Sequence, residues 1–243
     1  TERLRWIMKF FNLDSPVMQA LGKMADLMWL NILTLICCIP VVTVGASLTA
    51  MHYMALKIVR NEECYITKGF FKSFKENFKQ ATLIWLLMVV VIAVLAGDFI
   101  IMKYSGLTFS KVLQIVIIAV GVLFLFTAVF VFPVLAKFDN TLWRTIKNAF
   151  LMSIMQFPKT ILMILMFAIP PVLFVFYPRV IPLVIFFGLS VPAWLSAKLY
   201  NKFFQKLEDQ VMAASGETAP EDEDEHIFSD ELEESATQDN QKQ

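Results

Sequence analysis

Four polar side chains interrupt the long apolar stretches of this sequence and are the first candidates for chemistry. They are Asp26, Asn31, His52 and Asp98. Ionisable groups inside a bilayer are costly unless they are paired or solvated, so such residues often line the path of an ion or solute. We interpret Asp98, near one end of its apolar run, as reaching water, and His52 as either a buried hydrogen-bonding group or a proton relay. No chain of acidic residues crosses the apolar runs, which argues against a self-sufficient proton-coupled transporter.

The sequence has none of the motifs that mark common catalytic sites. It contains no HExxH, no GxSxG and no Walker lysine loop. Cys37 and Cys38 are adjacent and Cys64 stands alone, and these spacings form neither a disulfide framework nor a metal or redox site. We therefore predict that the protein is not an enzyme and has no catalytic residues, no cofactor and no metal.

The composition predicts that the elements carrying these residues are membrane helices. The 243 residues are 58% hydrophobic and 14% aromatic, with a mean hydropathy of +0.64, which lies outside the range of soluble domains. Asp14-Ser15-Pro16 is typical of a helix start and places the first helix from Pro16 to about Ile39. About 20 apolar residues cross a bilayer, and the later runs of that length are Ala81–Met102, Val112–Ala136, Thr160–Tyr177 and Ile181–Tyr200. The predicted fold is an all-α, polytopic transmembrane helical bundle.

Residues 41–60 decide the number of crossings. Without them there are five, and the basic N-terminal arm and the basic segment ending at Gln80 fall on opposite sides of the membrane. If they cross, all of the 21 Lys and Arg except Lys103, Lys111 and Arg179 belong to one side. Lys and Arg accumulate in cytoplasmic segments. We therefore predict six transmembrane helices, with five as the alternative, and both termini in the cytoplasm.

Charge patterning separates the two ends of the chain from its body. The arm RLRWIMKFF is amphipathic and basic, which favours a helix lying in the membrane interface. From Glu208 onward the chain holds 13 of its 21 acidic residues and a single basic one, Lys242. A segment so charged is typical of disorder. We predict an interfacial arm at 1–15, a transmembrane helical domain at 16–206 and a disordered acidic tail at 207–243.

Two cytoplasmic segments are candidates for partner docking. In RNEECYITKGFFKSFKENFKQ, aromatic residues fall at helical spacing beside a lysine-rich face, which predicts an amphipathic helix on the cytoplasmic surface. DNTLWRTIKNAFLMSIMQFPK repeats this arrangement with fewer charges. The same spacing fits either anchoring in lipid or docking in a protein groove. The candidate docking residues are Lys68, Phe71, Phe74, Phe78, Trp143 and Phe150.

The chain resembles the YesL-like family of bacterial membrane proteins. The resemblance lies in FFNLDSP, ICCIPVVTVGASLTAMHY and VRNEECYITKGFFKSFKENFKQAT, and it covers the body up to about Lys206. It implies a multi-pass protein of the bacterial cytoplasmic membrane, associated with carbohydrate ABC importers. It carries no established catalytic residues.

The resulting hypothesis is an accessory or regulatory membrane subunit of an oligosaccharide ABC importer. Its expected partners are the lipid bilayer, the permease subunits and the ATPase, and no nucleic acid. Two alternatives stay open. One is a stand-alone transporter of a small solute or lipid, for which a weak internal repeat argues, and the other is a membrane sensor or scaffold whose tail recruits a cytoplasmic protein.

Overall fold

The computed structural model describes residues 16–62, 65–104, 110–138 and 140–215, and these residues form helices and no strands. The protein is an all-α, polytopic helical bundle, as predicted. The interfacial arm at 1–15, Cys64 and the acidic tail beyond 215 lie outside the described residues. The chain divides into two compact units, 1–199 and 200–243.

Helices α1 (Pro16–Cys38) and α2 (Val44–Arg60) form an antiparallel hairpin, with a short 3-10 turn, Val41–Thr43, between them. Pro40 lacks the N–H that continuation of α1 requires, so the helix ends before it. The Ser47 hydroxyl donates to the Thr34 carbonyl across the hairpin, at 3.0 Å. At the open end, the Lys23 ammonium donates to the side-chain oxygen of Asn61. The two helices therefore lie side by side from the turn to the level of Lys23 and Asn61.

Helix α3 (Ile66–Tyr104) is continuous over 39 residues. It joins the predicted amphipathic segment and the predicted crossing at Ala81–Met102 in one element. At 1.5 Å per residue the helix is about 58 Å long, nearly twice the thickness of the hydrocarbon layer. Its first half packs closely on α2, because a Cβ added to Gly45 would lie 2.4 Å from the Ala81 carbonyl oxygen. Glycine is what permits this approach.

Three helices return the chain along α3 and then along the hairpin. They are α4 (Lys111–Lys137), α5 (Leu142–Met155) and α6 (Phe157–Phe176). The rings of Phe126 on α4 and Phe157 at the start of α6 lie 5.5 Å apart, and Phe167 lies 5.9 Å from the His52 ring of α2. Helix α6 therefore begins beside Phe126 of α4 and passes the middle of α2 near His52.

Helices α7 (Ile181–Phe187) and α8 (Ser190–Ser215) are separated by a break at residues 188–189. Helix α7 follows a 3-10 turn at Pro178–Val180. Helix α8 continues beyond the predicted domain boundary at Lys206, and its last part belongs to the second unit.

Five helices in the described part of the chain are long and apolar enough to cross a membrane, and a sixth is present if the broken pair α7–α8 is taken as one span. Residues 41–60 are among the five, so the segment that decided the predicted helix count meets the requirement of length and composition. Large apolar side chains are exposed along the second half of α3 and the first half of α4, as expected of surfaces that face lipid.

Candidate functional site

The aromatic residues of the first predicted docking segment form a ladder on α3. Adjacent rings of Phe70, Phe74 and Phe78 are 6.2 and 5.5 Å apart, and the Phe71 ring lies 5.6 Å from that of Phe70. The four rings do not share one environment. Phe70 is fully buried, Phe74 and Phe78 are half-buried, and Phe71 is 39% exposed. Phe71 is therefore the member of the ladder that a partner can reach most directly.

Most lysines of this segment lie on its outer side. Lys68, Lys75 and Lys79 are exposed and Lys72 is half-buried, and the Lys68 ammonium stands 5.2 Å from the centre of the Tyr65 ring. Such a cation–π contact contributes little in water but orients the side chain. The predicted lysine-rich face is thus accessible, and Lys68 lies at its beginning.

Helix α5 carries the second predicted docking segment. It buries one face through Thr145, Ala149 and Met152, while Trp143 is 74% exposed and Phe150 is partly exposed. Because α5 has 14 residues and apolar groups on both faces, packing one face against the bundle leaves the apolar groups of the other face exposed. Its outer face is therefore suited to contact with lipid or another protein.

Gln80 links the two segments. Its side-chain N–H groups donate to the Asn140 carbonyl at 2.7 Å and to the Thr145 hydroxyl at 3.2 Å. The end of the α3 segment and the start of α5 are thereby held together. We refer to the exposed parts of residues 66–80 and of α5 as the junction surface. Gln80 was not a predicted site residue. The sequence signal that could have identified it is a polar side chain directly before an apolar run.

Asn31 joins α1 to the break between α7 and α8. Its side-chain oxygen accepts from the backbone N–H groups of Leu189 and Ser190, both at 2.8 Å, and its N–H donates to the Ile185 carbonyl at 2.6 Å. Helix ends leave N–H and C=O groups without intrahelical partners, and Asn31, which is fully buried, satisfies both kinds at once. Its role is to support a broken helix.

The other three intramembrane candidates are not brought together with Asn31. His52 is buried in α2, and its Nδ1 has no hydrogen-bond partner among the described residues. Asp26 and Asp98 are half-buried on α1 and α3. In the described part of the chain, no three His, Cys, Asp or Glu side chains cluster as metal ligands would.

An apolar pocket of about 630 Å³ lies between α1, α6, α7 and the start of α8. Met24 and Leu27 line one side, and Ile169, Leu173 and Trp194 line the other, with Lys23 at its edge. Its size is that of a small-molecule site. The residues that line this pocket lie on helices that are far apart in the sequence. No local sequence pattern therefore predicted it.

Comparison with known proteins gives one match. Residues 27–99 match the model of a family described as "Protein of unknown function, DUF624". The match covers the second half of α1, all of α2 and most of α3. No curated protein matches the chain, and no solved structure does.

Proposed function

We propose that the protein is a non-catalytic accessory subunit of a carbohydrate ABC importer in the bacterial cytoplasmic membrane. In this proposal it docks on the permease, and on the ATPase, through the junction surface. The observation that carries the proposal is that Gln80 bonds to Asn140 and Thr145. These bonds hold the end of one segment with exposed aromatic and basic side chains beside the start of the other. The identity of the partner rests on the resemblance to the YesL-like family.

The junction surface has the composition of a protein interface rather than of a surface that faces only water. Trp143 and Phe71 expose large aromatic side chains, and such residues supply most of the binding energy at protein interfaces. Exposed lysines lie one helical turn from each, Lys68 and Lys75 beside Phe71 and Lys147 beside Trp143, which matches the polar rim that such interfaces carry. A lipid anchor uses the same residue types, so the two roles must be separated by their response to substitution.

A second candidate function is transport of a lipid or another apolar solute. The apolar pocket between α1 and α6–α8 favours this alternative. Its lining offers hydrocarbon and aromatic surface, whereas a sugar requires several convergent hydrogen-bonding groups. The pocket therefore suits an acyl chain better than an oligosaccharide.

Co-purification from native membranes tests the docking proposal. The variant Phe71→Leu plus Trp143→Leu removes two exposed anchors, and truncation of an anchor typically costs about 2 kcal/mol, or roughly thirtyfold in affinity. Permease subunits quantified by mass spectrometry should fall at least tenfold, while the variant stays in the membrane. The matched control is Phe99→Leu plus Phe176→Leu, two exposed aromatic residues outside the junction surface.

Two further variants separate docking from lipid anchoring and from misfolding. Lys75→Gln plus Lys79→Gln weakens electrostatic attraction to anionic lipid and should leave permease recovery nearly unchanged. Phe70→Leu alters a fully buried ring and should lower thermal stability without a selective loss of permease. Equal permease recovery from the Phe71/Trp143 variant and from wild type would contradict docking at this surface.

A further inference from the structure

The turn between α1 and α2 lies at the same level along α3 as the loop between α4 and α5. Gly45, at the start of α2, lies against the Ala81 carbonyl. Its neighbour Gln80 bonds to Asn140 in the α4–α5 loop. The Trp85 indole N–H, about 7.5 Å further along α3, donates to the Val41 carbonyl at 2.8 Å. A hydrocarbon layer of roughly 30 Å does not fit between the turn and the loop.

The open end of the hairpin lies beside the first turns of α3. The Trp29 indole N–H donates to the Thr67 hydroxyl at 2.9 Å, and a Cβ on Gly69 would lie 2.7 Å from the Met54 sulfur. The hairpin therefore accompanies α3 from its beginning to about Trp85. Residues 86–104 then extend about 28 Å further than the hairpin.

Charge decides which half of α3 lies in the hydrocarbon. Residues 66–80 contain Lys68, Lys72, Lys75, Glu76 and Lys79, whereas residues 81–102 contain Asp98 as their single charged residue. Charged side chains are strongly disfavoured at the centre of a bilayer. The hydrocarbon layer accordingly surrounds the second half of α3, and it begins near Ala81.

We infer that the α1–α2 hairpin is re-entrant: its apolar tip, residues 39–42, dips into the acyl chains beside Trp85, and both of its helices lead back to the side from which they came. The tip has the surface that this requires. Ile39 is 77% exposed and Val41 is 67% exposed, and Val42 is half-exposed. Exposed apolar groups at the tip of a hairpin fit a lipid environment. The inference is independent of the proposed importer partner.

The backbone of the tip is prepared for an apolar environment. In hydrocarbon, non-helical backbone groups need partners from the protein itself. The Thr43 hydroxyl contacts the Cys37 and Pro40 carbonyl oxygens, at 2.6 and 2.8 Å, and Trp85 serves the Val41 carbonyl. The N–H groups of Ile39 and Thr43 donate to the carbonyls of Ile36 and Pro40. These bonds remove much of the penalty for placing the turn among acyl chains.

A re-entrant hairpin and two complete crossings place all later segments on the same sides, so the distribution of Lys and Arg fits both. Direct accessibility distinguishes them. In full-length protein with the three native cysteines replaced by Ala, single cysteines are placed by Val42→Cys, Ser105→Cys and Thr141→Cys. Each is exposed to a membrane-impermeant maleimide in intact cells and in inverted vesicles. Ser105→Cys and Thr141→Cys should react from opposite sides, and Val42→Cys should react at least tenfold less from either.

Spin labelling locates the tip positively. A nitroxide on Val42→Cys in reconstituted vesicles should collide more often with dissolved oxygen, which partitions into hydrocarbon, than with a water-soluble nickel chelate. Val94→Cys in the second half of α3 and Lys75→Cys in its first half supply the lipid and water references. Maleimide labelling of Val42→Cys from the side opposite to Thr141→Cys would show a complete crossing and overturn the inference. A nitroxide response equal to that of Lys75→Cys would overturn it as well, because the tip would then lie in water.

Discussion

Replacing Asn31 with leucine should destabilise the membrane domain more than any comparable change of an exposed residue. The substitution keeps a side chain of similar size but removes all hydrogen-bonding atoms. The Leu189 and Ser190 N–H groups and the Ile185 carbonyl then lose their partner. Because Asn31 is fully buried, water does not replace it without a rearrangement of the packing.

The magnitude follows from the three bonds. A buried polar group left without a partner costs about 1–3 kcal/mol, whereas interhelical hydrogen bonds in membrane proteins average nearer 0.6 kcal/mol. Since the unpaired groups belong to helix ends that α7 and α8 do not satisfy themselves, we expect a total loss of about 2–4 kcal/mol. For a chain of this size that corresponds to a decrease in Tm of roughly 5–15 °C.

The assay is thermal unfolding in detergent, followed by near-ultraviolet circular dichroism. Asn77→Leu is the matched control, because the Asn77 side chain donates to the Ser73 carbonyl within its own helix, and its loss should lower Tm by less than about 3 °C. Asn31→Asp keeps the acceptor for both N–H groups but places a second oxygen against the Ile185 carbonyl. Its deficit should shrink on acidification, since the protonated carboxyl regains the donor. An Asn31→Leu protein that melts with the wild type would refute the role we assign to these bonds.

Two further outcomes are expected of the fold. Gly45→Ala should lower Tm by several degrees, because its Cβ would lie 2.4 Å from the Ala81 carbonyl oxygen. In the control, Gly97→Ala, the added Cβ meets no atom within 4 Å, so Tm should stay unchanged or rise slightly. Equal effects of the two variants would contradict close packing of α2 on α3. Ending the chain after Ser215, where α8 ends, should leave membrane insertion and Tm unchanged because the acidic tail is too charged to join an apolar core; aggregation of that truncated protein in detergent would show that the tail is structural.

The helices themselves were predictable, because long apolar runs leave few other structures in a membrane. The start of α1 at Pro16 and the end of α2 at Arg60 follow the predicted positions. The continuity of α3 was not predicted. Hydropathy changes abruptly near Ala81, which suggested a boundary between two elements. A helix is broken by Pro or Gly rather than by a change in hydropathy, and neither residue occurs there.

The candidate residues illustrate a different limit. Asn31 stood out because it is polar within an apolar run, but its partners are more than 150 positions away in sequence, and local spacing contains no such information. The aromatic ladder shows the same limit on one helix. Phe70 and Phe71 are neighbours of identical type, yet one is fully buried and the other is exposed. Residue type is the same for both rings, so the sequence pattern does not say which of them faces the protein interior.

The re-entrant hairpin bears on the proposed function because it sets how far the junction surface lies from the hydrocarbon layer. If the hydrocarbon begins near Ala81, the first half of α3 stands outside it, supported along its length by α1 and α2. The lysines of residues 66–80 and the Phe71 ring then face water, where a cytoplasmic domain of a partner can contact them. Two complete crossings by α1 and α2 would instead draw these lysines to the depth of the acyl chains. The placement of the membrane that the charges of residues 66–80 require is therefore also the one that leaves the junction surface open to a partner.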